Sequence, residues 1–322
     1  MTAMAPMSVV DTARFERERP RLTGLAYRLL GSLTDAEDVV QDAWLRWQRI
    51  DRATIERPAA WLTTVVSRLG LDRLRACQRE RDRYVGPWLP EPLVRLGDPA
   101  PATASEPVDR TEPSLARPGG DPADHAELAD SLTTAFLLLL EELSPTERLT
   151  ILLADVFDEP FSSVATVLGK SESAVRQQAV RARRKLRDAA PAARPVTDPG
   201  QLRVAEAFLA ATALGDVETV LSLLAPDVVL LSDGGADHHA ARRPVVGPHR
   251  VSRLMLNLAS RLPANATIDL RSVNGSPGIV VRIGGAPAFV VAVEVAGGLV
   301  HGVTVVVNPD KLTAVDREIT LR

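Results

Sequence analysis

The sequence is poor in several residue types, and each shortage excludes something. One cysteine, Cys77, stands among 322 residues, so no intramolecular disulfide framework and no cysteine-cluster zinc site can form. Aromatic residues make up 4%. No apolar run approaches the roughly 18–20 residues of a membrane span, and Ala135–Leu140 reads as a core helix. The N-terminus lacks a basic stretch followed by a long apolar one, so no secretory signal is expected and a cytoplasmic protein is. Apolar residues at 45% and charged residues at 25% are ordinary for a soluble chain with several cores.

The net charge of −3 is a poor guide to partners, because the charge is segregated. Residues 1–95 hold 16 basic and 13 acidic side chains, while residues 96–142 hold 2 and 10. Residues 143–200 hold 9 and 7, and residues 201–322 hold 11 of each. The sharpest cluster is 170–187, where Lys170, Arg176, Arg181, Arg183, Arg184, Lys185 and Arg187 face Glu172 alone. All four tryptophans (Trp44, Trp47, Trp61, Trp88) fall in the first segment. The Pro-rich, acidic stretch from Gly97 to Pro122 has too few apolar residues to fold and reads as an extended tether. A second break lies at Pro191–Gly200. The expected layout is a helical module at 8–95, a linker at 96–130, a second helical module at 131–190 and a C-terminal domain at 198–322.

The first module reads as helices over Arg14–Leu30, over a segment capped by Thr34-Asp35-Ala36-Glu37, and over a segment opened by Pro58. Val39, Val40, Ala43, Trp44 and Trp47 give the second an apolar face. In the second module, Ser144-Pro145-Thr146-Glu147 predicts a capped helix. FSSVATVLG then predicts a short helix stopped by Gly169, and a basic helix follows: a helix-turn-helix. Its second helix places Ser171, Glu172, Ser173, Arg176 and Gln177 near the start, where Arg reads guanine, Gln adenine and Glu cytosine. Arg181, Arg183, Arg184 and Lys185 suit phosphates. The C-terminal segment predicts two helices, a strand at Val228–Ser232, a helix at Pro248–Arg261 and four strands. Gly284-Gly285 and Gly297-Gly298 serve as hairpin turns. This is an α+β domain, expected as a curved antiparallel sheet with helices on one face.

DAEDVVQDAWLRW (Asp35–Trp47) resembles region two of extracytoplasmic-function sigma factors, and PAAWLTTVVSRLGLDRLRA (Pro58–Ala76) resembles the adjoining promoter-melting and minus-ten segment. Leu143–Asp188 resembles region four, which reads the minus-thirty-five element. The resemblance implies that Asp35, Glu37, Asp38, Gln41, Asp42 and Trp44 dock on core RNA polymerase. It implies that Arg68, Arg73, Arg75 and Arg79 face promoter DNA, although many family members carry Asn where Arg68 stands. It lets the acidic tether thread the polymerase channel; the DNA-binding set read from the basic helix itself includes Arg181 and Arg184.

WLPEP (Trp88, Leu89, Pro90, Glu91, Pro92) and NPDKL (Asn308, Pro309, Asp310, Lys311, Leu312) resemble the SigJ-type subgroup. Its C-terminal extension is SnoaL-like, a cone-shaped sheet closed by helices around a pocket, and resembles a built-in regulator. The expected fold is therefore multidomain: two all-α sigma modules plus this α+β domain. Asp233, Gly234 and Gly235 match the start of the subgroup's Asp-Gly-Gly-Gly-basic run, but Asp237 stands where a basic residue is usual. No cofactor and no metal follow from the sequence, whereas an unknown small ligand in the C-terminal pocket is compatible with it. Two alternatives compete with a sigma factor. A ligand-responsive repressor with one helix-turn-helix leaves Asp35–Trp47 unexplained. An enzyme would draw on Asp233, His238, His239, Asp269 or His301 as acid/base groups, but Asp233 reads better as a turn cap and the histidines as solvated loop residues, since no second group stands at a demanding spacing.

Overall fold

The computed structural model describes residues 9–51, 54–81, 83–95, 133–189, 199–236 and 238–317. The acidic tether, the break before Pro199 and Asp237 lie outside the described residues. The first module is three helices, α1 (Val9–Leu30), α2 (Leu33–Arg49) and α3 (Pro58–Arg81). The second has α4 (Thr134–Glu141), α5 (Pro145–Ile151), a π-helical turn at Leu152–Val156, α6 (Phe161–Leu168) and α7 (Glu172–Ala189). The C-terminal domain has α8 (Pro199–Leu214), α9 (Val217–Leu223) and α10 (Pro248–Ser260). Its main strands are β2 (Leu224–Asp233), β4 (Ala266–Val273), β5 (Ser276–Ile283), β6 (Ala286–Ala296) and β7 (Leu299–Val306). Two short strands, β1 (Val94–Arg95) and β3 (Val245–Val246), complete the set.

Local chemistry explains most boundaries. At α5 the capping box forms as expected: Ser144 accepts from the Glu147 N–H and the Glu147 carboxylate reaches back to the Ser144 N–H. At α2 it does not. The N-cap is Ser32, which accepts from the Asp35 N–H at 3.2 Å, and the acidic partner comes from Glu91. Glu91 accepts from the Leu33 N–H (2.8 Å) and the Ser32 hydroxyl (2.7 Å). A carboxylate there also meets the positive end of the helix dipole.

The sheet order is β1-β4-β5-β6-β7-β2-β3. Most pairs are antiparallel, but β2 runs parallel to β7, which corrects the wholly antiparallel expectation. The physical reason is connectivity: β2 turns back only into the short edge strand β3, and the chain then crosses by α10 to the far side of the sheet, returning through β4–β6 so that β7 lies alongside β2. Three hairpins join β4 to β7. Gly284-Gly285 and Gly297-Gly298 take positive φ, as does the Asn274-Gly275 turn that the sequence reading passed over.

β1 is the tail of the first module, yet it pairs with β4, so the expected boundary at residue 95 is crossed by backbone hydrogen bonding. Three apolar cores result. One unites the helices of both helical modules, with Phe15, Trp47, Leu62, Leu140, Leu152 and Val175 inside it, and takes in Ala314 from the far C-terminus. A second lies between α8–α10 and one face of the sheet, where Phe208, Val228, Met255 and Val293 are buried. The third, on the opposite face, gathers Leu89 and Val94 with Val290, Ala292, Leu312 and Val315. The first module's tail is thus a core component of the C-terminal domain.

Candidate functional site

On α7 the side chains of Ser173, Arg176, Gln177, Val180, Arg181 and Arg184 are exposed and fall on one helical face. Ser171 and Glu172 are exposed at its start. Gly169, with φ +63°, ends α6 in the left-handed conformation and turns the chain into α7. Buried Gln178 locks α7 to α5 by donating to Thr146 O and to the Thr150 hydroxyl, both at 2.7 Å. Two of the expected phosphate ligands are committed elsewhere. Arg183 forks onto buried Asp155, and Lys185 reaches Glu147 at 2.8 Å. They fix the helix, leaving Arg181 and Arg184 on its free face.

The acidic face of α2 is partly engaged by the chain itself. Asp38, Gln41 and Asp42 are exposed. Asp35 accepts from Arg73 at 2.5 Å, and Glu37 pairs with Arg317 of the C-terminal domain at 2.6 Å. Trp44 is half-buried against Phe15, with ring centroids 4.8 Å apart. On α3, Arg75 and Arg79 are exposed, whereas Arg68 donates to the carbonyls of Thr166 (2.7 Å) and Val167 (3.2 Å) at the end of α6. The two helical modules therefore close on each other through an expected DNA-facing residue.

A second pin closes the same interface. Arg148 sits inside the apolar face of α5 and is 1% exposed. It donates to Leu29 O and Leu140 O, each at 2.9 Å, and pairs with Glu141 at 2.8 Å. Burial pushes the Glu141 carboxyl up, but the Arg148 and Arg81 guanidiniums outweigh it and hold it below its ordinary value.

The segment 84–95 joins everything. Asp233, 1% exposed at the end of β2, accepts from the Tyr84 hydroxyl (2.5 Å), the Leu89 N–H (2.8 Å) and Lys311 (2.7 Å). It also accepts from the Gly235 N–H at 3.1 Å, and Asn308 donates to the Tyr84 hydroxyl at 2.8 Å. Asp310 stays exposed while its N–H satisfies Asn308, and Pro309 opens the 3-10 turn that presents Lys311. Lys311 also donates to Leu89 O and lies 4.1 Å from the Trp88 ring, which Arg81 covers from 3.5 Å. Burial lowers the Lys311 amine to about 8 against the pull of Asp233. Burial, helped by the bond to Asp233, raises the Tyr84 phenol well above its usual range. Gly31, with φ +68°, must lack a side chain: a Cβ there would lie 2.5 Å from Trp88. Gly234 is equally confined, a Cβ falling 2.6 Å from His238 O. Pro90 and Pro92 are buried beside Glu91, whose carbonyl takes the Tyr27 hydroxyl at 2.6 Å. Farther along, Asn274 accepts from the Leu93 N–H (2.6 Å) and donates to Thr134 of α4 (3.3 Å).

Two family models match this chain: Sigma-70 region 2 over residues 14–80 and Sigma-70 region 4 over residues 133–186. The extracytoplasmic-function RNA polymerase sigma factor SigJ of Mycobacterium tuberculosis (strain H37Rv) is 38% identical over 314 residues, 94% of each chain. The probable sigma factor SigI of the same species (strain CDC 1551) is 32% identical over 96% of this chain and 97% of its own. The chain belongs to the extracytoplasmic-function sigma factor family. The crystal structure of M. tuberculosis SigJ superimposes with a TM-score of 0.69 over 95% of this chain and 99% of that one.

The α1–α3 module is thus region two, α4–α7 is region four, and the chain is a transcription initiation factor; sigma factors bind core RNA polymerase and promoter DNA. No described helix is long and apolar enough to cross a membrane. Resemblance named WLPEP, Asp233 and NPDKL in advance, but Tyr84, Arg148, Asn274 and Arg317 went unnoticed. The first could have been flagged as one of only two tyrosines, and Arg148 as a charge inside an apolar run. The acid/base candidates do not converge. His301 pairs with Asp227 at 3.2 Å, Asp269 with Arg282 at 3.0 Å, and Asp233 with the interdomain node. None lines the cavity of about 390 Å³ between α8, α10 and the sheet, whose walls include Leu209, Met255, Leu270, Ile279, Phe289 and Val291.

One carboxylate of β6 faces region four. Glu294 lies against Gly302, where a Cβ would come within 2.8 Å of it. Burial pushes its carboxyl up to about 7, while the Ala135 N–H of α4 works the other way. A carboxyl raised from about 4.5 to about 7 on folding favours the folded state at low pH, and that contribution is lost as pH rises through 7. Thermal unfolding midpoints should therefore fall between pH 5.5 and 8, and Glu294→Gln should flatten the fall. An equal slope in the variant would assign the pH dependence elsewhere.

Proposed function

We propose that this sigma factor directs promoter-specific initiation with core RNA polymerase and is held closed by its own C-terminal domain. One observation carries the reading: groups expected to meet polymerase or DNA are paired within the chain, Glu37 with Arg317 and Arg68 with the end of α6. The Glu37–Arg317 pair is exposed on both sides and is worth about 0–1 kcal/mol, so it marks the covered surface rather than holding it. The holding force is the buried node at Asp233 and the apolar packing of Leu89 and Val94 on the sheet. Polymerase competes for α2 and α3, and the closed form opens.

The exposed face of α7 reads the minus-thirty-five element. Arg176→Ala should cost about 1–3 kcal/mol and relax preference at one base pair, as measured by binding the polymerase holoenzyme to a set of single-base promoter variants. A uniform loss across the set would assign Arg176 to phosphate. Regulation is tested by transcription with purified core polymerase, comparing the native chain with Arg317→Glu and Asp233→Ala. Point variants are cleaner than deletion after Pro199, which strips the cover from Leu89 and Val94. Altered output with an unchanged choice of promoter supports the reading, and unchanged output in both variants refutes it. The reading assigns the unknown small ligand to the C-terminal cavity and makes it apolar, because the walls are almost wholly hydrocarbon.

A further inference from the structure

The C-terminal domain is charge-neutral as a whole, yet residues 238–253 hold Arg242, Arg243, Arg250 and Arg253 with His238, His239 and His249, and no carboxylate. All seven side chains are exposed. Among the described residues, no carboxylate lies within ion-pair reach of the four guanidiniums, whereas Arg282, Lys311 and Arg317 of the same domain are all paired. The loop that carries them is closely folded: the Ala241 N–H donates to the Ser232 hydroxyl at 2.7 Å, and Gly234 packs directly under His238 and Ala240. The patch ends at the N-terminus of α10, where Pro248 opens the helix and no side chain caps it. The helix dipole adds to the positive potential there.

Position gives the patch its partner. The Arg242 backbone lies against Gly86, 3.4 Å from where a Cβ of residue 86 would sit. Gly86 follows exposed Arg79, near the end of α3, and exposed Arg83, just past it, so the patch meets the chain that leaves α3. Val246 is the one large hydrophobic exposed within residues 238–253, so that stretch lacks the apolar anchors on which protein interfaces depend. Unpaired arginines beside a helix N-terminus, without such anchors, suit phosphates.

We propose that residues 238–253 form a second, sequence-independent DNA-binding surface that holds backbone phosphates of promoter DNA beside the α3 site. The proposal rests on the sigma-factor reading. It changes the role of the C-terminal domain from a cover to a cover that also lends charge to the promoter complex.

The test is salt-dependent binding of the full chain, assembled with core polymerase, to a promoter fragment. Replacing Arg242, Arg243, Arg250 and Arg253 by Gln should lower the slope of log K against log salt by about 0.9 for each phosphate no longer held. Affinity should fall by roughly tenfold or more at physiological salt, equally for every sequence, with base preference intact. Arg250→Glu alone should move in the same direction, and unchanged thermal midpoints would show that both variants fold. An unchanged slope and affinity overturn the proposal. So does a loss confined to the affinity for core polymerase, which would give this face an acidic protein partner. If the native holoenzyme bound no promoter at all, the sigma-factor reading and this proposal would fall together.

Discussion

Asp233→Ala should undock the C-terminal domain from the tail of region two, at a cost of about 3–5 kcal/mol. The side chain removed is an acceptor of four hydrogen bonds inside the protein, and what remains is a buried ammonium. Burial already lowers the Lys311 amine to about 8 despite Asp233, so the loss of its counter-charge drives it to leave the node or shed its proton. Leu89 loses the acceptor for its N–H, and Tyr84 keeps only Asn308. Thermal unfolding should split into separate transitions, and a protease should cut between residues 84 and 95 sooner than in the native chain. Asp233→Ala with Lys311→Met should recover part of the stability, because two apolar groups replace a half-empty ion pair. A single, unshifted transition in Asp233→Ala would remove the node from the explanation of closure.

Arg148→Ala should have a comparable effect, about 3–5 kcal/mol, at the other interface. Here the guanidinium removed satisfies two carbonyls that end helices in different modules, Leu29 O and Leu140 O, and shares Glu141 with Arg81. Deletion strands both carbonyls and leaves a cavity in a core common to regions two and four. Arg148→Lys should recover little, since an ammonium cannot span the positions the planar fork reaches. Denaturant titration should show the damage as a reduced midpoint for the helical half, with the C-terminal sheet signal following separately. If Arg148→Lys matched the native chain, charge alone rather than fork geometry would fix the junction between the modules.

What was legible in the sequence was local or repeated. The Ser144–Glu147 box, the Gly169 stop and the Gly-Gly hairpins depend on residues within a few positions of each other, and each folds as read. What was illegible came from far along the chain. Thr34 looked like the cap of α2, but Ser32 takes the position because Glu91 arrives from the tail of the module to complete it. Two residues, Val94 and Arg95, are too few to show an alternation, so nothing marked them as a strand of a distant sheet. The parallel β2–β7 pairing has no local signature either. Basic residues on α7 could be counted, but only burial of Asp155 and Glu147 shows that Arg183 and Lys185 serve the fold. The site as a set of motifs was readable through family resemblance. Its wiring, in which one carboxylate holds Tyr84, Leu89 and Lys311 together, required the structure.

Closure is measured most directly as a distance between region two and the C-terminal domain in the free chain. Cys77 is the only cysteine and is buried, so once it is replaced, spin labels can be placed at exposed Leu45 of region two and exposed Leu214 of the C-terminal domain alone. Electron–electron double resonance should give one narrow distance distribution for the native chain. The distribution should broaden and lengthen in Asp233→Ala, and again when core polymerase is added. The same broad distribution in the native chain and the variant, or a narrow one that core polymerase leaves unmoved, would contradict closure by the C-terminal domain.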